Sequence, residues 1–196
     1  DIILKSSTDH ELKGLEADVY NLKGSIDWII GENSKAIDCY TKSLIGCLEM
    51  NYLKGIGNSY NNLGMVYSEL GENDSAISYY NKSMIIRDET GDMKSLSSSY
   101  MNIGTYYFEI GNLPLSLTYY FKSLKIDQEL GYEEDIAMVL SNIGLVYSEQ
   151  KDFDRAIEYF YKSIEIDQKH DVKLGVFTSV LNIANVYQKE NKLEKA

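Results

Sequence analysis

The chain has 196 residues, 44% hydrophobic and 25% charged, a balance that supports one ordinary folded domain with a sizeable core. A net charge of −11 argues against nucleic acid, which needs a Lys/Arg patch for its phosphates, and against an anionic membrane surface. The 17 tyrosines and the single proline, Pro114, suit helices packed on helices and not a β-sandwich, which needs frequent turn residues.

In chain order, Ile2-Ile3-Leu4-Lys5 resembles Met84-Ile85-Ile86-Arg87, so residues 1–12 are expected to be the tail of a preceding helix. A 40-residue period follows, with units at 13–52, 53–92, 93–132 and 133–172 and a partial fifth at 173–196. Unit one is the most divergent, with Asp27 and Trp28 where the others keep Tyr and a small or aromatic residue. Its cysteines, Cys39 and Cys47, lie roughly 12 Å apart along one helix, too far for a disulfide. They point to a reducing compartment, the cytoplasm, with an extracytoplasmic sensor region as the alternative. The later units carry Asn62-Leu63-Gly64, Asn102-Ile103-Gly104, Asn142-Ile143-Gly144 and Asn182-Ile183-Ala184 in register, with Tyr67, Tyr107, Tyr147 and Tyr187 behind them. A second signature follows in phase: Lys42-Ser43, Lys82-Ser83, Lys122-Ser123 and Lys162-Ser163, two residues after Tyr40, Tyr80, Tyr120 or Phe160.

Each unit reads as two helices. In the first, Tyr60, Leu63, Gly64 and Tyr67 form one apolar stripe at i, i+3, i+4 and i+7. It stops at Gly71-Glu72-Asn73, where Gly supplies a left-handed residue. The second carries Ala76, Ile77, Tyr80, Ser83 and Met84 on one face and ends at Thr90-Gly91-Asp92. Gly64 and Ala76 are expected on facing stripes, where a larger side chain would force the helices apart. One helix pair cannot bury its apolar faces alone, so the units must stack.

Small residues at Gly64, Ala76 and Ser83, with Tyr67 and Tyr80 between them, resemble the tetratricopeptide pattern. The 40-residue period is similar to the longer-helix variant of Pins/LGN scaffolds, kinesin light chains, Rap-type regulators and bacterial sensor proteins. The resemblance implies an all-α, right-handed solenoid of stacked antiparallel helix pairs over residues 1–196, with about five repeats and both ends cut. Cut ends expose faces made to be covered, so end-to-end association of copies is expected. The proline that usually closes such a repeat is replaced here by Gly-Asp-type turns.

Opposite the apolar stripe, each first helix carries a polar set: Asn58, Asn62, Met65 and Glu69; Ser98, Asn102, Thr105 and Glu109; Met138, Asn142, Leu145 and Glu149; Thr178, Asn182, Asn185 and Lys189. By resemblance this face lines a peptide groove, with an Asn ladder on its floor and Glu69, Glu109 and Glu149 beside it. An amide offers donor and acceptor and so pairs with any extended backbone, while a Glu row selects Lys or Arg. The alternatives are asparagines bonded to neighbouring helices or water, and a merely solvated Glu face. The acidity likewise either guides a neutral or basic partner or only keeps the protein soluble.

His10 and His170 stand apart without metal-ligand spacing, and no phosphate loop or nucleophile motif occurs. Neither a cofactor nor catalysis is expected. Most tyrosines are assigned to the core, with Tyr106 and Tyr119 the exposed candidates. The reading is therefore a scaffold or adaptor that holds an extended peptide or helix. The alternative is the sensory input region of a bacterial signalling protein whose effector domain lies elsewhere.

Overall fold

Short left-handed turns separate the helices, and those after the first are 17 or 18 residues long. Gly71 and Gly131 follow helix ends with φ of +73° and +72°, which glycine adopts without a Cβ clash. Where the same turns lack glycine, Asn51, Lys151 and Asp171 take φ of +52°, +62° and +56°. Asn and Asp tolerate that conformation, whereas Lys151 bears a cost of roughly 1–2 kcal/mol.

The computed structural model describes residues 2–190, with side chains from Leu12 onward. Its helices are α1 (Ile2–Ile29), α2 (Asn33–Glu49), α3 (Leu53–Glu69), α4 (Asn73–Glu89), α5 (Met93–Glu109), α6 (Leu113–Leu130), α7 (Glu133–Glu149), α8 (Phe153–Lys169) and α9 (Lys173–Lys189). No strand occurs among the described residues. Residues 2–12, expected to end a separate helix, are instead the first turns of α1. Neither Gly nor Pro precedes Gly14, so nothing in that stretch stops a helix. His10 lies outside the described side chains. No described helix is long and apolar enough to cross a membrane.

The helices form two compact units, divided within α5 between Ser99 and Tyr100. In the first, consecutive helices from α1 to α4 pack together around Ala17, Ala36, Tyr40, Leu63 and Val66. In the second, α7 packs on α6 and α8, and α8 on α9, around Tyr120, Val139, Ile143, Phe160 and Val186. Consecutive helix pairs are thus the unit of packing in each.

One contact recurs every 40 residues. The rings of Tyr40, Tyr80, Tyr120 and Phe160 lie against Gly24, Gly64, Gly104 and Gly144, where a Cβ would come within 2.7–2.8 Å of ring carbon. Buried serines join three of the second helices to the next first helix: Ser59 donates to Ser43 at 3.1 Å, Ser83 and Ser99 share a bond at 3.5 Å, and Ser179 donates to Ser163 at 3.3 Å. At the equivalent place Val139 follows Ser123, which turns instead to Asp127 at 3.3 Å.

The lysines of the Lys-Ser signature lie over tyrosines. Lys82 Nζ is 5.5 Å from the Tyr60 ring centre and 5.2 Å from that of Tyr79, which stacks on Tyr67 at 5.4 Å. Lys122 lies likewise over Tyr100 and Tyr119, and Tyr119 stacks on Tyr107. These cation–π contacts explain why Lys and Ser recur together: one covers the aromatic faces and the other is buried.

Tyr106 corrects an expectation. It is buried at 4% exposure, because its register post is that of Val66, Val146 and Val186, all facing the core. Tyr119 is half-buried, and Tyr161, at 56%, is the exposed tyrosine. Cys39 and Cys47 are both buried free thiols, and burial raises both pKa values.

Candidate functional site

In the first unit the polar face of α3 is tied into the fold. Asn62 Nδ2 donates to Asn21 Oδ1 on α1 at 3.1 Å, and Asn61 donates to Asn62 Oδ1 at 3.4 Å. Glu69 accepts from the indole N–H of Trp28. Asn58 Oδ1 accepts from Arg87 Nη2 at 2.9 Å. Three of the expected groove residues therefore hold α1, α3 and α4 together.

Arg87, on the last turn of α4, was not singled out by sequence. The residue is 7% exposed, and its guanidinium also donates to the Ser95 carbonyl at 2.9 Å and to Ser99 Oγ at 2.6 Å. Burial lowers its pKa to about 10, which leaves it protonated at neutral pH. Buried donors need acceptors, and Asn58, Ser95 and Ser99 supply them.

In the second unit Thr105 bonds the Met101 carbonyl at 3.1 Å and the Tyr120 hydroxyl at 3.0 Å, so it satisfies a core tyrosine. Asn102 is half-buried and Glu109 exposed on the same helix. The remaining expected residues meet between α7 and α9. Asn142 and Asn182 are half-buried, Asn185 and Glu149 are exposed, and Lys189 pairs with Glu149 at 2.6 Å. Unlike Asn58 and Asn62, Asn142 and Asn182 make no hydrogen bond within the described residues.

Two openings lie along this α7–α9 face. One, of about 370 Å³, has apolar walls from Met138, Leu145 and Leu174, with Asn142 and Asn182 beside them and Asp167 within. The other, of about 280 Å³, is lined by Glu149, Asn182, Asn185, Gln188 and Lys189 over Phe160. The first has the chemistry of a ligand pocket, apolar walls with a few converging polar groups, whereas the second is lined mainly by polar side chains.

Asp167 is the second residue that sequence reasoning missed. It is 5% exposed, and burial raises its pKa; a hydrogen bond with Ser163 opposes the shift, the Glu134 charge adds to it, and His170 opposes it. Its oxygens press on Gly175, where any Cβ would clash with the carboxylate. No ion pair among the described residues includes Asp167; nearby, Lys169 and His170 both reach Glu133. Among the described residues no group of three or more His, Cys, Asp or Glu is placed to hold a metal ion.

Two family models described as tetratricopeptide repeat match this chain, over residues 57–86 and 95–169. No curated protein matches it. BtubC (BKLC) from P. vanneervenii superposes with a TM-score of 0.79 at 21% identity, over 94% of this chain and 76% of that one. A Rap protein complexed with competence and sporulation factor gives 0.78 at 19%, over 93% of this chain and 51% of that one. A STAND signal-transduction ATPase with a tetratricopeptide repeat sensor, from Pyrococcus horikoshii, gives 0.80 at 16%, over 93% and 29%. The chain thus spans about half of the Rap protein and under a third of the ATPase, and at these identities the likeness is one of fold.

Proposed function

The chain belongs to the tetratricopeptide repeat family, and from that premise we propose that it is a protein-interaction module that holds an extended segment of a partner along the α7–α9 face. The observation that carries this reading is the pair Asn142 and Asn182. They stand 40 residues apart beside the same opening, with amides uncommitted among the described residues. An amide with free donor and acceptor pairs with a peptide backbone whatever its sequence. The apolar walls beside it take alternate side chains. The net charge of −11 favours a basic partner.

In the first unit the same polar face serves the fold, so the binding surface belongs to the second. Asn102 and Glu109 extend it onto α5. A second reading, the input region of a signalling protein, draws on the ATPase whose repeats are a sensor. The two readings share the groove and differ in the response that binding sets off.

The test is to select peptides from a random 12-residue library against the chain and map the best by hydrogen exchange. Slowed exchange confined to α7, α9 and the second half of α5 is the expected footprint. A footprint on α1–α4, or on the tyrosine–lysine face, contradicts the reading.

A further inference from the structure

The repeat architecture places the last turn of each second helix at the junction with the next first helix. Three residue types hold that post, at 40-residue spacing: Cys47, Arg87, Asp127 and Asp167. Around Arg87 the space is filled by its own guanidinium, bonded to Asn58, Ser95 and Ser99. Eighty residues on, the corresponding positions are Met138, Gly175 and Ser179, and the residue at the post is Asp167. All four line the 370 Å³ opening, and no guanidinium occupies it. We propose that this opening is a pocket for an arginine side chain of the bound segment, with the Asp167 carboxylate as its anion.

Three observations support that occupant. Asp167 is nearly fully buried with the Ser163 hydroxyl as its hydrogen-bond partner, and a buried carboxylate without a cation is costly. Gly175 lets the Asp167 carboxylate lie directly against α9 at the wall of the opening, since any side chain there would clash with it. At the corresponding place in the preceding repeat, eight residues after the buried Asp127, stands Asp135 rather than glycine. Met138, Leu145 and Leu174 then offer an apolar channel for the methylene stem. A planar guanidinium also meets a carboxylate with two parallel bonds, which an ammonium cannot do.

This inference rests on the groove reading, and one experiment separates them. Peptides selected against the chain should share an arginine at one position. Replacing that arginine by citrulline, of the same shape without the charge, should weaken binding about ten- to a hundredfold, the range for a charge-assisted hydrogen bond. Asp167→Asn should cause a similar loss, with no further loss when the citrulline peptide is used. Asn182→Ala should weaken the arginine and citrulline peptides alike. Peptides that depend on Asn182 but show no basic preference, or bind Asp167→Asn unchanged, overturn the pocket and leave the groove. A shared lysine with the same dependence on Asp167 overturns the guanidinium assignment. Selection of no peptide overturns both. The citrulline exchange is made on the ligand, so it still decides the matter if a protein variant fails to fold.

Discussion

The ring of Tyr80 lies so close to Gly64 that a Cβ there would sit 2.7 Å from ring Cδ1. Gly104 and Tyr120 repeat this at 2.7 Å, whereas Gly14 on α1 has nothing within 4 Å of where its Cβ would be. One substitution should therefore have opposite signs at the two kinds of site. Gly104→Ala must displace a core ring and should destabilise by about 1–3 kcal/mol. Gly14→Ala removes only backbone freedom and should stabilise by about 0.4–1 kcal/mol. Urea unfolding of both variants reads the difference directly, and equal effects would sink the packing argument.

The asparagines should divide in the same way. Asn58→Ala leaves a buried Arg87 N–H without its acceptor, which should cost about 1–3 kcal/mol of stability. Asn62→Ala loses its bond to Asn21 and should cost about 0.5–1.5 kcal/mol. Asn142→Ala breaks no internal bond and should stay within about 0.5 kcal/mol of the parent. Thermal melts of the three, measured side by side, check the order. Equal losses at Asn58 and Asn142 contradict the division.

The helix pairs were legible because their residues repeat at a constant interval. Gly64, Gly104 and Gly144 and the aromatics that cover them are visible to anyone who aligns the chain with itself. The Asn ladder was legible as a row of positions, yet its roles differ between units. Asn62 finds Asn21 at a separation of 41, not 40, and no count of the period brings that residue forward. Arg87 and Asp167 escaped for the opposite reason: they share a post but not a chemistry, so self-comparison shows only variation. Tyr106 was misjudged because tyrosine looks amphipathic, while its register is that of buried valines.

Asp167 gives a pH dependence with a definite sign. Burial raises its pKa above the ordinary 3.8, so the folded chain holds the proton more tightly than the unfolded one. The stability linked to that proton is complete below 3.8 and is lost as pH rises through the raised value. Asp167→Asn removes the charge and keeps the shape. Its melting temperature should exceed the parent's near pH 7 and converge on it near about pH 3. Glu134, which adds to the shift, and His170, which opposes it, face the same carboxylate, so the substitution reads their net effect together with that of burial. A gap of constant size across that range contradicts the account.

The central claim, that the α7–α9 face holds a partner's backbone, is tested most directly by titrating one selected peptide against the parent, Asn142→Ala and Asn182→Ala, with a melt of each. Each substitution should weaken binding by about 1–3 kcal/mol, because peptide groups buried in the complex lose their partners. The melting temperatures should stay with the parent's. Binding that survives both substitutions, or falls only in step with the melting temperature, would contradict the claim.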